Sequence, residues 1–219
     1  MLRAIYLSPV GWLISAVLRL LGRFHRPFMV YGTKDRVSGR FRKLTRISSS
    51  AILSNRDKIA LGDNIWIWHH SIIDGSNGVT IGEGAQIGAW VGIFSHGSHI
   101  AVRIHGIDYI NIPREARSGY TRGAVSIGAY SFIGAAAIIL PGVSIGKGAL
   151  IGTGSVVSAD VPDFGIARGN PAKVVGDTRK LDEKYFSDPA IAETYFDREA
   201  FNEWIARRPT TDESATHSI

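Results

Sequence analysis

Five of the chain's seven histidines, the side chains able to move a proton near neutral pH, lie in or near two short stretches, His69-His70 and His96-Gly97-Ser98-His99, with His105 close behind. An imidazole, with a pKa of about 6.5, can take a proton from a hydroxyl and pass it on, or it can ligate zinc. An exposed or hydrogen-bonded structural ring is the default for His69, His70 and His105. The chain contains no cysteine. That excludes a cysteine nucleophile, thiolate zinc sites and a disulfide framework, and it fits the cytoplasm.

The elements that must position these groups follow a period of six. Ile127, Ile133, Ile139, Ile145, Ile151 and Val157 form an unbroken ladder, and the residue four places after each is small or β-branched (Ser131, Ala137, Val143, Ala149, Ser155, Val161). Neither a helix nor an ordinary strand has this repeat. Short straight rungs joined by tight turns do, each rung turning one aliphatic side chain inward, which marks a parallel β-helix. The ladder runs upstream through Ile93, Ile87, Ile81, Ile73, Ile67 and Leu61, then more faintly through Ile59, Leu53 and Ile47, with two-residue slips at corners. The β-helix is expected over 47–176, interrupted by a loop over 97–123. The apolar content of that loop (Ile100, Val102, Ile104, Ile107, Tyr109, Ile110, Ile112) suits an ordered arm reaching a neighbouring subunit better than a disordered insertion.

Charge is placed unevenly. Residues 1–46 hold ten Lys or Arg against Asp35 alone, a net +9 within a total of +6, so the remainder carries −3. A slightly acidic β-helix is a poor nucleic-acid surface, and no nucleic-acid-binding motif is present. Within this basic segment, Ala4 to Leu18 is uncharged and too short to span a bilayer, which takes about 20 apolar residues. It reads as an apolar helix that either packs on a protein surface or lies on a membrane through residues 4–26, where Trp12, Arg19, Arg23 and Arg26 suit the interface. Residues 177–208 change to helical spacing, with Leu181, Tyr185 and Phe186 on one face and Ile191, Tyr195, Phe196, Phe201, Trp204 and Ile205 on another; they are expected to cap the last coil. The polar tail, 209–219, is expected to be disordered.

The segment Ile127-Gly-Ala-Tyr-Ser-Phe-Ile-Gly, then Ile139-Leu-Pro-Gly-Val-Ser-Ile-Gly-Lys-Gly-Ala-Leu-Ile-Gly-Thr-Gly-Ser-Val-Val, closing with Gly169-Asn-Pro-Ala-Lys-Val-Val, resembles the hexapeptide-repeat acyltransferases. Within them it is most similar to the maltose, galactoside and chloramphenicol acetyltransferases and to the polysaccharide O-acetyltransferases. The resemblance implies an all-β fold: a left-handed parallel β-helix with an extended loop, an N-terminal apolar helix and a short C-terminal helical region. It also implies a homotrimer, with acetyl-CoA as co-substrate in clefts between subunits.

In that family a histidine stands just before the long loop, five places after the last aliphatic rung. Here the fifth place after Ile93 is Ser98, between His96 and His99. One extra residue in the turn Gly97-Ser98 would bring His99 into the catalytic place, and His99 is favoured over His96. For the donor, the resemblance places Ala135, Gly152 and Thr153 along the pantetheine arm, Ser158 near its far end, and Lys173 at the nucleotide phosphates; the small residues are also what β-helix turns require. A cation after Gly-Asn-Pro-Ala is not needed by a coil, so phosphate binding is the better reading of Lys173. Trp90 and Phe132 are candidates for stacking on a sugar.

The expected activity is O-acetylation of a saccharide hydroxyl, in the biosynthesis of a surface polysaccharide such as O-antigen or capsule, with the protein cytoplasmic and peripheral at the inner face of the membrane. No metal is called for. Three alternatives stand beside it: N-acetylation of an amino-sugar nucleotide, a zinc β-helix resembling carbonic anhydrases, and a purely structural β-helix. The Gly-Asn-Pro-Ala-Lys ending and the histidine spacing speak against the zinc reading.

Overall fold

The computed structural model describes residues 8–24 and 26–207. The tail, 209–219, and the start of the apolar segment, 4–7, lie outside them.

The six-residue period closes into a three-faced prism. Its first face is built on Phe41–Ser48, Trp66–Ile67, Gln86–Ile87, Phe132–Ile133, Leu150–Ile151 and Gly165–Gly169. The second stacks Ile52–Ser54, Ile72–Asp74, Gly92–Phe94, Ile138–Ile139 and Val156–Val157; the third stacks Ile59–Leu61, Val79–Ile81, Val125–Ile127 and Ser144–Ile145. All these strands pair in parallel, and the pairing aligns identical rungs. Ile67, Ile87, Ile133 and Ile151 form one inward column; Ile73, Ile93, Ile139 and Val157 form the second; Leu61, Ile81, Ile127 and Ile145 form the third. All twelve are buried and make up the core with the small residues at the corners. Because most of these strands are only two or three residues long and turn one or two side chains inward, stability comes from stacking coils about 4.8 Å apart.

Corners carry the strain that the rungs avoid. His70, Trp90 and Ala136 occupy the same corner position in successive coils, with φ of 60°, 56° and 57°, a left-handed conformation uncommon outside glycine. A different corner, between the second and third faces, emits the long loop. The loop leaves at Ser95 and returns at Gly123, whose N–H donates to the Ser95 carbonyl at 3.1 Å. Because its two ends meet, Val79 still pairs with Val125 and the register of the coil survives the insertion. Gly123 is needed at the return, for a Cβ there would lie 2.4 Å from the Gly142 nitrogen.

Both ends of the prism carry antiparallel additions. Met29–Lys34 pairs with Phe41–Ser48 before the first coil, and Gly165–Gly169 pairs with Ala172–Asp177 after the last. Instead of simply capping the last coil, the C-terminal segment grips one edge. Phe196 stacks on Tyr130 and packs against Phe164, and Lys147 pairs with Asp197 at 2.5 Å. Phe201, wholly buried, anchors the segment by stacking on Phe186. At the other terminus, the helix Pro9–Phe24 leaves Trp12 and Leu13 about two-thirds exposed, at 69% and 67%. No helix among the described residues is long and apolar enough to cross a membrane.

Candidate active site

Asp74 ends a rung of the second face, one coil below Phe94, with which it pairs. The chain then turns through Ser95 to His96, and the imidazole reaches back so that its Nδ1 lies 2.5 Å from Asp74 Oδ2. The buried carboxylate also accepts from the Ser76 backbone N–H at 3.1 Å and from the Ser76 and Ser95 hydroxyls. Burial raises the Asp74 carboxyl. The Ser76 hydroxyl, the His96 hydrogen bond, the Ser76 N–H and the His96 charge together outweigh it and hold the group below the usual carboxylate range. An ionised Asp74 accepts only, so Nδ1 carries the proton and Nε2 is left as the basic nitrogen.

The loop completes the setting. His96-Gly97 pairs antiparallel with Thr121-Arg122, closing the loop at its base. Tyr120, almost fully buried, lies flat on the His96 ring with centroids 5.6 Å apart and planes 7° from parallel. The Tyr120 hydroxyl accepts from Arg114 Nε at 2.8 Å, and Arg114 Nη2 donates to the Ser76 hydroxyl at 3.2 Å. A ring of contacts therefore runs Asp74, Ser76, Arg114, Tyr120, His96, fixing the imidazole from both sides. Behind it, Gly92 must lack a side chain, because a Cβ would come within 2.6 Å of the Phe94 ring.

His96, His99 and Ser158 line one cavity of about 300 Å³ together with Phe94, Thr121 and Leu140. The sequence favoured His99; the structure gives the carboxylate to His96, while the His99 ring has no hydrogen-bond partner among the described residues. The chain pairs with Arg122 already at His96. The other imidazoles among the described residues have structural partners: His69 Nδ1 lies 2.7 Å from the Ser48 hydroxyl, His70 stacks on Trp90, and His105 Nε2 lies 3.2 Å from the Ser118 carbonyl oxygen. Among the described residues no group of three His, Asp or Glu side chains converges on a metal-sized centre.

The expected donor residues lie mostly elsewhere. Ala135, Gly152 and Thr153 sit at the corner between the first and second faces, where the Gly154 N–H donates to the Ala135 carbonyl at 2.9 Å. Ala135 and Phe132 share a cavity of about 320 Å³ with Trp66, Trp68 and Gln86, and the indole N–H of Trp66 is buried there without a partner. Trp90 lies outside that cavity, stacked on His70. Lys173, exposed, faces Arg168 across the terminal hairpin. In one chain, then, only Ser158 of the expected donor residues joins the histidines. Asp74, Arg114 and Tyr120 were missed from sequence. The first sits on an ordinary-looking rung, and the other two lie in a loop without period; a carboxylate on the coil directly beneath the histidine was the available signal.

Comparison with known proteins agrees with the coil. Residues 124–159 match the bacterial transferase hexapeptide family, described as six repeats. The chain is 38% identical over 128 residues to an acetyltransferase-like protein of Saccharomyces cerevisiae, covering 58% of each. It is 30% identical over 178 residues to serine acetyltransferase 2 of Arabidopsis thaliana, covering 81% of this chain and 48% of that one. Among solved structures it is similar to a galactoside acetyltransferase in complex with coenzyme A, at 27% identity and a TM-score of 0.50, covering 61% of this chain and 62% of that one. The chain thus spans about half of the length of these curated relatives, 58% and 48%. The hexapeptide-repeat match and the galactoside acetyltransferase neighbour imply that the β-helix is left-handed.

Proposed function

We propose that this hexapeptide-repeat chain is an acetyl-CoA-dependent O-acetyltransferase that uses His96 as general base, oriented by Asp74. The observation that carries the reading is the Asp74–His96 pair at 2.5 Å, opening on a cavity shared with Ser158. Its chemistry follows from the tautomer. His96 Nε2 takes the proton as the acceptor hydroxyl oxygen attacks the thioester carbonyl; the C–S bond breaks, and the proton passes to the departing thiolate, leaving an acetyl ester and CoA. Proton transfer of this kind is worth about 10²–10⁴ in rate, and Asp74 stabilises the imidazolium formed in between. The resemblance to a galactoside acetyltransferase in complex with coenzyme A supports Ala135, Gly152, Thr153 and Ser158 as the groove for the pantetheine arm and Lys173 as the partner of the nucleotide phosphates.

Assembly belongs to the same proposal. The second face separates the histidine cavity, on its edge towards the third face, from Ala135 and Thr153, on its edge towards the first. In a homotrimer, edges of different subunits meet, so one subunit can offer the histidine while its neighbour offers the donor groove. For the acceptor we favour a saccharide of a surface polysaccharide. The exposed apolar helix and the net +9 of residues 1–46 suit work at the inner face of a membrane. The broad coverage by serine acetyltransferase keeps an amino-acid hydroxyl in view. The test is thiol release from acetyl-CoA by the purified full chain with a panel of mono- and oligosaccharides and L-serine. Saccharide-dependent release is expected, serine-dependent release would reassign the acceptor, and no release with any hydroxyl would overturn acetyl transfer.

A further inference from the structure

A cavity of about 630 Å³, away from the histidines, opens beneath the first hairpin, between Met29–Lys34, Phe41–Ser48 and the first coil. Arg36 and Arg56 both line it, with Thr33 and Asn55 beside them and Asp57 in its wall. The Arg56 head is held in place by its Nη2 bond to the Thr33 hydroxyl, and its Nε is buried with no hydrogen-bond partner. No ion pair to either guanidinium exists among the described residues. Asp57, itself exposed, pairs with neither.

The surroundings do not supply the missing anion. Asp35 is the sole acid of residues 1–46, and it is buried and fully engaged: it accepts from the Val37, Ser38 and Leu61 backbone N–H groups and lies 3.5 Å from Arg42. Two like charges on one cavity repel, and one of them is partly desolvated as well. Burial, then the Arg36 charge, pushes the Arg56 guanidinium below its ordinary value. Such an arrangement destabilises the empty protein and is relieved by a bound anion, most strongly by one whose oxygens match the planar donor fork of arginine.

We propose that the Arg36–Arg56 cavity binds the phosphate or diphosphate group of a ligand. It is a second anion site, distinct from Lys173 and independent of the acetyl-transfer reading. The phosphate can come from a soluble molecule or from a lipid headgroup.

The test is calorimetric titration of the full chain with inorganic pyrophosphate. Arg36→Gln, an exposed position with no side-chain hydrogen bond to lose, is expected to weaken binding at least tenfold. Arg56→Lys, which keeps the charge and loses the fork, is expected to weaken it severalfold. Arg40→Gln, on the same hairpin but outside the cavity, is expected to leave it unchanged. Flotation with vesicles carrying phosphatidic acid separates the sources. Binding that pyrophosphate displaces assigns the site to a lipid headgroup, whereas pyrophosphate binding without flotation assigns it to a soluble ligand. Three results would overturn the site: no pyrophosphate binding, an Arg40→Gln loss equal to that of Arg36→Gln, which means diffuse attraction, or loss with Lys173→Ala alone, which moves the anion to the donor groove.

Discussion

Replacing Asp74 by Asn removes one charge and almost no volume. Asn Oδ1 can still accept from Ser76, so the local turn is retained, but its amide N–H₂ now meets a proton on His96 Nδ1 where a carboxylate stood at 2.5 Å. Two donors cannot share that contact, so the ring adopts the other tautomer and Nε2, carrying the proton, no longer accepts one. A hydrogen bond to a charged group contributes about 1.5–3 kcal/mol. Adding the tautomer shift gives a loss of about 3–4 kcal/mol in the transition state, or about 10²–10³ in kcat. The donor KM should stay near that of the parent, because the carboxylate lies behind the imidazole. Steady-state kinetics on the variant, with thermal melting to show that the coil is intact, reads this directly. Since both side chains act as one unit, Asp74→Asn combined with His96→Ala should be no slower than His96→Ala alone. A kcat within about threefold of the parent, in a folded variant, would refute the orienting role.

The pH dependence of Asp74 has a definite sign. Its folded carboxyl lies below the ordinary 3.8, so the stability it contributes is complete above that value and disappears only as pH falls through the lower folded pKa. The melting difference between parent and Asp74→Asn should therefore shrink as pH falls from about 5 towards 3. Tyr120→Leu should lower kcat about tenfold at unchanged donor KM, because it removes both the ring stacked on His96 and the anchor for Arg114; unchanged kcat would show that Asp74 alone holds the imidazole. Lys173→Ala should raise the acetyl-CoA KM about tenfold with kcat nearly intact, as expected for a remote phosphate contact made equally in ground and transition states; an unchanged KM would make the motif structural.

The coil was legible because a β-helix repeats one simple demand, an aliphatic side chain inward every six residues, and nothing outside the local chain alters it. Even the faint rungs at Ile47 and Leu53 fall into register, with Ile67 and Ile73, once the two-residue corners are allowed. The histidine cluster was legible; which of its members holds a carboxylate was not. Spacing along the chain suggested a displaced His99, whereas the partner that singles out His96 comes from the coil beneath, a contact between residues 22 apart in sequence. Arg114 and Tyr120 were opaque for a similar reason, since the loop has no period and its fold is set by where it docks. The C-terminal segment shows the same limit. Its aromatic residues announced a packed helical region, but only the positions of Tyr130 and Phe164 on the prism decide that Phe196 grips an edge.

The central claim is most directly tested by the kcat of His96→Ala and His99→Ala, measured side by side with saturating acetyl-CoA. His96→Ala is expected to lose about 10²–10⁴ in kcat, roughly 3–5 kcal/mol, at unchanged donor affinity, while His99→Ala keeps most of its rate. Inactive His99→Ala beside active His96→Ala would contradict the assignment drawn from Asp74, and full activity in both would contradict histidine catalysis altogether.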